Sequence, residues 1–225
     1  MLRLIFRSLL ISQLVGMSIL SQAQDVSVDS TRRFVKPTSI RLGTDVIRLG
    51  QTIANSSFSG WELNVDTDLG RYYPTLDYGR WTRDTPIDNG TYSNDGRYFR
   101  LGVDYNFLKN DPDNNMFFMG IRYGRSKFDE QVVYDYSAID FGDFQKEANN
   151  TSAKAGWLEL TTGIRVKMWK QFWMGYTARL KFLPSVSGDD GFETYEIPGF
   201  GLTYKDIYWG FNYQVFWRIP LKADK

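Results

Sequence analysis

An all-β fold is predicted: an eight-stranded antiparallel transmembrane β-barrel of up-and-down type, with a polar, charge-filled lumen, short periplasmic turns and long extracellular loops. Three observations predict it. Apolar and polar residues alternate with period two in segment after segment, the mark of a strand whose two faces meet different surroundings. The links between those segments alternate short and long, as they do in outer-membrane barrels. An export signal precedes them all.

The signal occupies residues 1–23. Arg3 and Arg7 form a basic start, Ser8 to Leu20 is mostly apolar, and Ser21-Gln22-Ala23 puts small residues at −3 and −1 of a cut after Ala23. That is the three-part layout of a secretory leader. The apolar run falls short of the roughly 20 residues a spanning helix needs, which argues against an N-terminal anchor. No Cys follows it, so a lipoprotein is excluded. Cleavage leaves 202 of 225 residues and takes the formal charge from +1 to −1 by removing the two arginines. One domain fits that length.

Residues 24–38 are polar and read as a periplasmic tail, residues 39–220 as the barrel, and 221–225 as a C-terminal tail. The expected strands run at about 39–49, 58–69, 71–81, 97–107, 116–130, 153–167, 172–183 and 206–219. Trp61 to Leu69 shows the alternation best, with Trp61, Leu63, Val65, Thr67 and Leu69 on one face and Glu62, Asn64, Asp66 and Asp68 on the other. It is rougher at 72–81 and 117–128, and slips near Val46. No stretch shows a convincing helical period. Asp68 to Arg71, Leu108 to Asn115 and Met168 to Gln171 are short links; Thr82 to Asp95, Val132 to Ser152 and Pro184 to Lys205 are long. Tyr195 to Tyr204 has strand character. A ninth spanning strand would leave the C-terminus outside, against the even count of single-chain bacterial barrels. Residues 184–205 are therefore expected to be an outer loop, extended as a hairpin above the membrane.

The two faces predict opposite surroundings. The apolar row includes Trp61, Leu63, Val65, Leu101, Val103, Leu160, Ile164, Tyr176, Leu180, Phe211, Tyr213 and Trp217. It is too bulky for the narrow interior of an eight-stranded barrel and is expected to face lipid. The polar row carries glycines (Gly43, Gly102, Gly120, Gly124, Gly163, Gly175 and Gly210) beside charge, and small residues suit a crowded lumen. The expected lumen charges are Arg41, Glu62, Asp66, Asp77, Arg100, Asp104, Arg122, Glu159, Arg165, Arg179 and Arg218, with Asp45, Asp68, Lys167 and Lys181 beside them. Enclosed charges must be paired, and this near-balanced set reads as a salt-bridge plug in preference to a proton or ion path. Calcium sites at Glu62/Asp66/Asp68 and at Asp111 to Asn115 are disfavoured. Neighbouring cations compete for the first, and the second lacks the Gly and Glu of a calcium loop. Tyr134, Tyr136, Phe141 and Phe144 in the 132–152 link suit either a partner surface or packing among themselves over the barrel mouth.

The chain has no Cys and no His. Triads that move a proton through imidazole are therefore excluded, and zinc sites are disfavoured. Near-neutral charge argues against nucleic acid. The mean hydropathy of −0.39 does not argue against a membrane barrel, because only every second strand residue faces lipid. No catalytic residue, cofactor, metal or small-molecule substrate is expected; the expected partners are outer-membrane lipids and other outer-membrane proteins. A soluble lipocalin-like lipid-binding barrel and a small low-conductance pore are the competing readings.

Several stretches also resemble a known family: Ser21-Gln22-Ala23-Gln24, the strand pair around Trp61-Glu62 and Arg71-Tyr72-Tyr73-Pro74, the loop Ile197-Pro198-Gly199-Phe200-Gly201, and the closing strand Trp209-Gly210-Phe211-Asn212-Tyr213 to Ile219-Pro220. They resemble small Bacteroidota outer-membrane β-barrel proteins known only as a domain of unknown function. The resemblance covers nearly all of the mature chain and rests on fold-level signatures. It implies no active site. It does imply an accessory subunit of a larger outer-membrane machine, the β-barrel assembly machinery first among them. Leu221 to Lys225 follow the final strand, a departure from the usual terminal aromatic.

Overall fold

Alternating side chains need a partner strand on each side, and a closed ring supplies one to every strand. The computed structural model describes residues 36–108, 111–138, 142–188, 192–205 and 207–221. The expected leader, most of the 24–38 tail and residues 222–225 lie outside the described residues. The elements are β1 (Ser39–Asp45), α1 (Val46–Ala54), β2 (Phe58–Thr67), β3 (Tyr72–Ile87), β4 (Gly90–Asn106), β5 (Met116–Ala138), β6 (Gly142–Trp169), β7 (Phe172–Ser187), β8 (Glu196–Ile197), β9 (Gly201–Leu202) and β10 (Ile207–Pro220).

The expected strand count of eight is corrected to ten among the described residues. Antiparallel neighbours β1-β10-β7-β6-β5-β4-β3-β2 close the barrel, and β8 with β9 makes a separate two-stranded sheet. The ring closes where β1 runs against β10, from Ser39 opposite Pro220 to Asp45 opposite Gln214. Both described termini therefore lie at one end, here the near end.

Three other expectations are corrected. The first strand stops at Asp45, because that carboxylate accepts hydrogen bonds from the amides of Ile47 and Arg48 and so caps α1. Residues 46–49 are helical instead of extended. Next, the far-end links expected to be long are mostly strand. β3 and β4 continue to a turn at Asp88-Asn89, with Asn89 at φ 59°, and β5 and β6 run on to Ala138 and Gly142. Beyond the apolar segments, ladder hydrogen bonds and cross-strand pairs sustain the hairpins without a greasy face, so periodicity misses them. Finally, residues 194–203 turn back onto the barrel mouth, where Ile197 and Phe200 are fully buried; they do not rise as an arm.

The lumen also holds rings that the outward row did not reveal. Tyr98, Phe128 and Trp157 pack with Ile197 and Phe200 towards the far end, and Tyr73, Met116 and Phe118 pack towards the near end. Each of five inward rings sits across from a glycine on the next strand: Tyr98 from Gly79, Phe128 from Gly96, Trp157 from Gly124, Phe118 from Gly163 and Phe216 from Gly43. A Cβ at Gly43, Gly79, Gly124 or Gly163 would run into the facing ring, and one at Gly96 into the Phe128 Cβ and Pro198. Small and large residues thus alternate around the interior, which is how a narrow barrel is filled.

Candidate functional site

Between the two aromatic layers lies a continuous ion-pair network. Inward positions of different strands bring it together, because every second residue of each strand points to the axis. Asp66 of β2 pairs with Arg41 and with Arg165, each at 2.7 Å. Arg165 reaches Asp104 at 3.0 Å, and Asp104 holds Arg122 at 2.8 Å. Arg122 meets Asp77 at 2.6 Å; Asp77 also contacts Arg100 at 3.0 Å and Arg179 at 3.3 Å. Arg179 lies 2.9 Å from Glu159, and Arg100 pairs with Glu62. Glu62 lies 3.5 Å from Arg48, which sits 3.8 Å from Asp45. The set comprises six arginines (41, 48, 100, 122, 165 and 179) and six carboxylates (45, 62, 66, 77, 104 and 159). Apart from Arg48, all are buried.

Alternation of sign is what makes this burial tolerable, since a lone buried charge costs several kcal/mol, roughly. Neutral groups complete the shell. Tyr98 donates to Glu62 at 2.5 Å, the Trp157 indole donates to Glu159 at 2.7 Å, and Asn64 donates to Asp77. The Arg165 guanidinium stacks 4.8 Å from the ring centres of both Phe118 and Phe216, adding a cation–π contribution.

Of the fifteen charges expected in the lumen, twelve are buried: the first ten of the main set together with Asp45 and Lys181. Lys181 stands apart from the network and donates to the carbonyls of Gly199 and Phe200, at 2.8 Å each. Three do not join. Arg218 is half-buried at the near end, 5.9 Å from the Trp173 ring centre. Asp68 accepts from the Thr38 and Ser39 amides at a turn. Lys167 pairs with Asp113 at 2.9 Å near the surface. The missed member is Arg48. In an extended strand it would point outward, but α1 swings it inward to stack on Trp81 and Tyr98. Asp45, an N-cap residue just before Val46, was the available signal.

The outer wall is the complement. Trp61, Leu63, Val65, Leu101, Val103, Leu160, Ile164, Tyr176, Phe211, Tyr213 and Trp217 are exposed and Leu180 is half-exposed. Leu101 shows 59% of its surface and Phe211 56%. The wall runs around all eight ring strands, continued by Leu42, Leu76, Ile121 and Trp209. An apolar surface that encircles a molecule far exceeds the patches of a few hundred Å² that water-exposed proteins tolerate, about 300–600 Å² at most.

At the far end the inward hairpin is pinned by polar contacts. Arg83 pairs with Glu196 at 2.7 Å, Asn94 donates to the Glu196 carbonyl at 2.7 Å, and Tyr92 donates to Glu130 at 2.7 Å. Burial raises the carboxyls of Glu130 and Glu196 above the usual range; for Glu196 the Glu130 charge adds to this against the pull of Arg83. Tyr136 and Phe144 stack across the β5–β6 hairpin at 5.1 Å and 12°, so these aromatics pack on one another; Phe141 lies outside the described residues. The Asp111 carboxylate accepts from the amides of Asp113 and Asn115 at 2.9 Å each, which makes it a turn cap. Among the described residues no cluster of three or more acids, Cys or His is placed to hold a metal ion.

Fold and site together define a closed antiparallel β-barrel whose interior is neutralised and plugged and whose exterior is greasy. The chain belongs to the family described as domain of unknown function DUF6048, whose model matches residues 1–224. No curated protein matches it. Among solved structures it is similar to neisserial surface protein A, at 9% identity and a TM-score of 0.39, over 82% of this chain and 96% of the other.

Proposed function

We propose that the protein is an integral outer-membrane β-barrel acting as a non-enzymatic accessory subunit of a larger outer-membrane complex, the β-barrel assembly machinery of Bacteroidota in the first instance. The observation that carries the membrane part is the inversion of faces: a ring of exposed Leu, Val, Ile, Phe and Trp around a lumen of paired Arg, Asp and Glu. A lipocalin-like barrel has the opposite facing, with an apolar lumen and a wet exterior. A conducting pore needs open space where Asp77 and its three arginines stand. The leader at 1–23 and the resemblance to Bacteroidota barrels support export to the outer membrane. The lack of His, together with every central carboxylate being engaged by arginine, supports a structural role.

Purification from native membranes in mild detergent tests the subunit reading. The expected result is co-migration with outer-membrane partners, assembly-machinery components among them. A homogeneous species of this chain alone would count against it. The mature N-terminus, read by mass spectrometry, is expected at Gln24.

A further inference from the structure

Just above the apolar wall, at the far end, the outward faces of β3, β4, β5 and β6 carry a row of cations. Arg80 lies directly opposite Arg97, Arg97 opposite Lys127, and Lys127 opposite Lys154. Residues so placed have Cβ atoms only about 5 Å apart, and like charges there destabilise a sheet. Arg125, one outward position nearer the wall on β5, adds a fifth. All five are exposed. Asp95 neutralises Arg80 at 2.7 Å, and Asp129 accepts from the Ser152 amide at 2.6 Å. Among the described residues no ion pair within 4 Å joins Arg97, Arg125, Lys127 or Lys154 to an acid. The interior of the same molecule balances every arginine, so the unbalanced row stands out. Below it, Phe99 and Arg125 border a groove of about 310 Å³ that also touches Lys127 and Lys154. Tyr78 also lines the groove, and both Tyr78 and Phe99 are exposed on the apolar wall.

We infer that this row is a binding site for the phosphate of an outer-leaflet phosphorylated glycolipid, with the lipid's acyl chains lying on the wall beneath. The inference rests on the membrane reading above. Cations on a barrel surface at headgroup depth gain by meeting anionic lipid, and an arginine or lysine above an aromatic rim fits a ligand that is anionic at one end and greasy at the other. A free phosphate ion would use the cations and ignore the wall.

The test uses the full mature barrel in detergent, titrated in native mass spectrometry with a phosphorylated glucosamine-disaccharide lipid, the same lipid stripped of phosphate, and inorganic phosphate as competitor. Retention of the phosphorylated lipid alone, undisturbed by equimolar phosphate, is expected. A triple variant, Arg97→Gln, Lys127→Gln and Lys154→Gln, changes only exposed side chains and is expected to weaken binding on the order of 100-fold, from roughly a fivefold factor per surface cation. Lys170→Gln, at the near end, is expected to leave binding unchanged. Equal retention of the dephosphorylated lipid, full displacement by phosphate, or an unaffected triple variant would each overturn the site. Insertion into vesicles is measured in parallel. A barrel that inserts but does not discriminate the lipids sinks this inference alone, and one that does not insert sinks the membrane reading as well.

Discussion

Asp77 is the best single place to probe the lumen. Its carboxylate touches Arg100, Arg122 and Arg179 and accepts from Asn64. Asp77→Asn keeps the shape and removes the charge, leaving six arginines against five carboxylates. Breaking a buried pair by removing one partner costs about 3–5 kcal/mol. Each of the three arginines retains another acid: Glu62 for Arg100, Asp104 for Arg122 and Glu159 for Arg179. The loss should therefore sit at the low end, about 3 kcal/mol, and not at three times that figure. Adding Arg122→Met restores the balance and should recover about 1–2 kcal/mol, a coupling typical of groups in direct contact. Urea unfolding of the barrel reconstituted in vesicles, followed by Trp fluorescence, measures both. A cost below about 1 kcal/mol for the single variant, the range of an ordinary surface substitution, would refute the reasoning.

Other outcomes follow from the same geometry. Leu101→Arg, on the outer wall, should destabilise the vesicle-inserted barrel by about 2–4 kcal/mol if the residue lies near the bilayer midplane; in the same unfolding assay, a change within about 0.5 kcal/mol would mean that Leu101 faces water. Gly124→Val drives a side chain into the Trp157 indole and should cost about 1–3 kcal/mol by overpacking, with the Trp157 emission shifted; an unchanged melting curve would show that the ring does not fill that space. Glu130 and Glu196 have raised carboxyls when folded, so the folded far end binds more protons than the opened one. Stability of the 194–203 hairpin is then complete below the ordinary carboxyl value of 4.5 and declines as pH rises through the raised folded values. Amide protection factors at Tyr195 and Thr203, corrected for intrinsic exchange, should fall from acid to neutral pH; a rise would contradict the assignment.

The facing of the strands was legible in the sequence because it needs no tertiary information. A period of two separates Leu63 from Glu62 and Leu160 from Glu159 whatever the neighbours are. What escaped depended on partners. The alternation in β5 is rough because Phe118 and Phe128 point inward while Phe117 and Ile121 point outward, so both faces look apolar. Those inward rings become explicable only once the register sets each against a glycine. Arg48 escaped because Leu49 extends an apparent strand past the real cap at Asp45. The inward hairpin escaped because parity forbids a ninth spanning strand but says nothing about where the loop goes; the strand character of Tyr195 to Tyr204, with Ile197 and Phe200 in it, was a hint.

Lipid contact at the wall is the most direct measurement. The chain has no Cys, so single cysteines can be placed at positions 62, 63, 100, 101, 159, 160, 211 and 212 and spin-labelled in the vesicle-reconstituted protein. Labels at 63, 101, 160 and 211 should collide with oxygen dissolved in the bilayer and be shielded from a water-soluble relaxant, while those at 62, 100, 159 and 212 should be shielded from both. Strong relaxation of the first group by the aqueous reagent, with the second buried in an apolar core, would contradict the account.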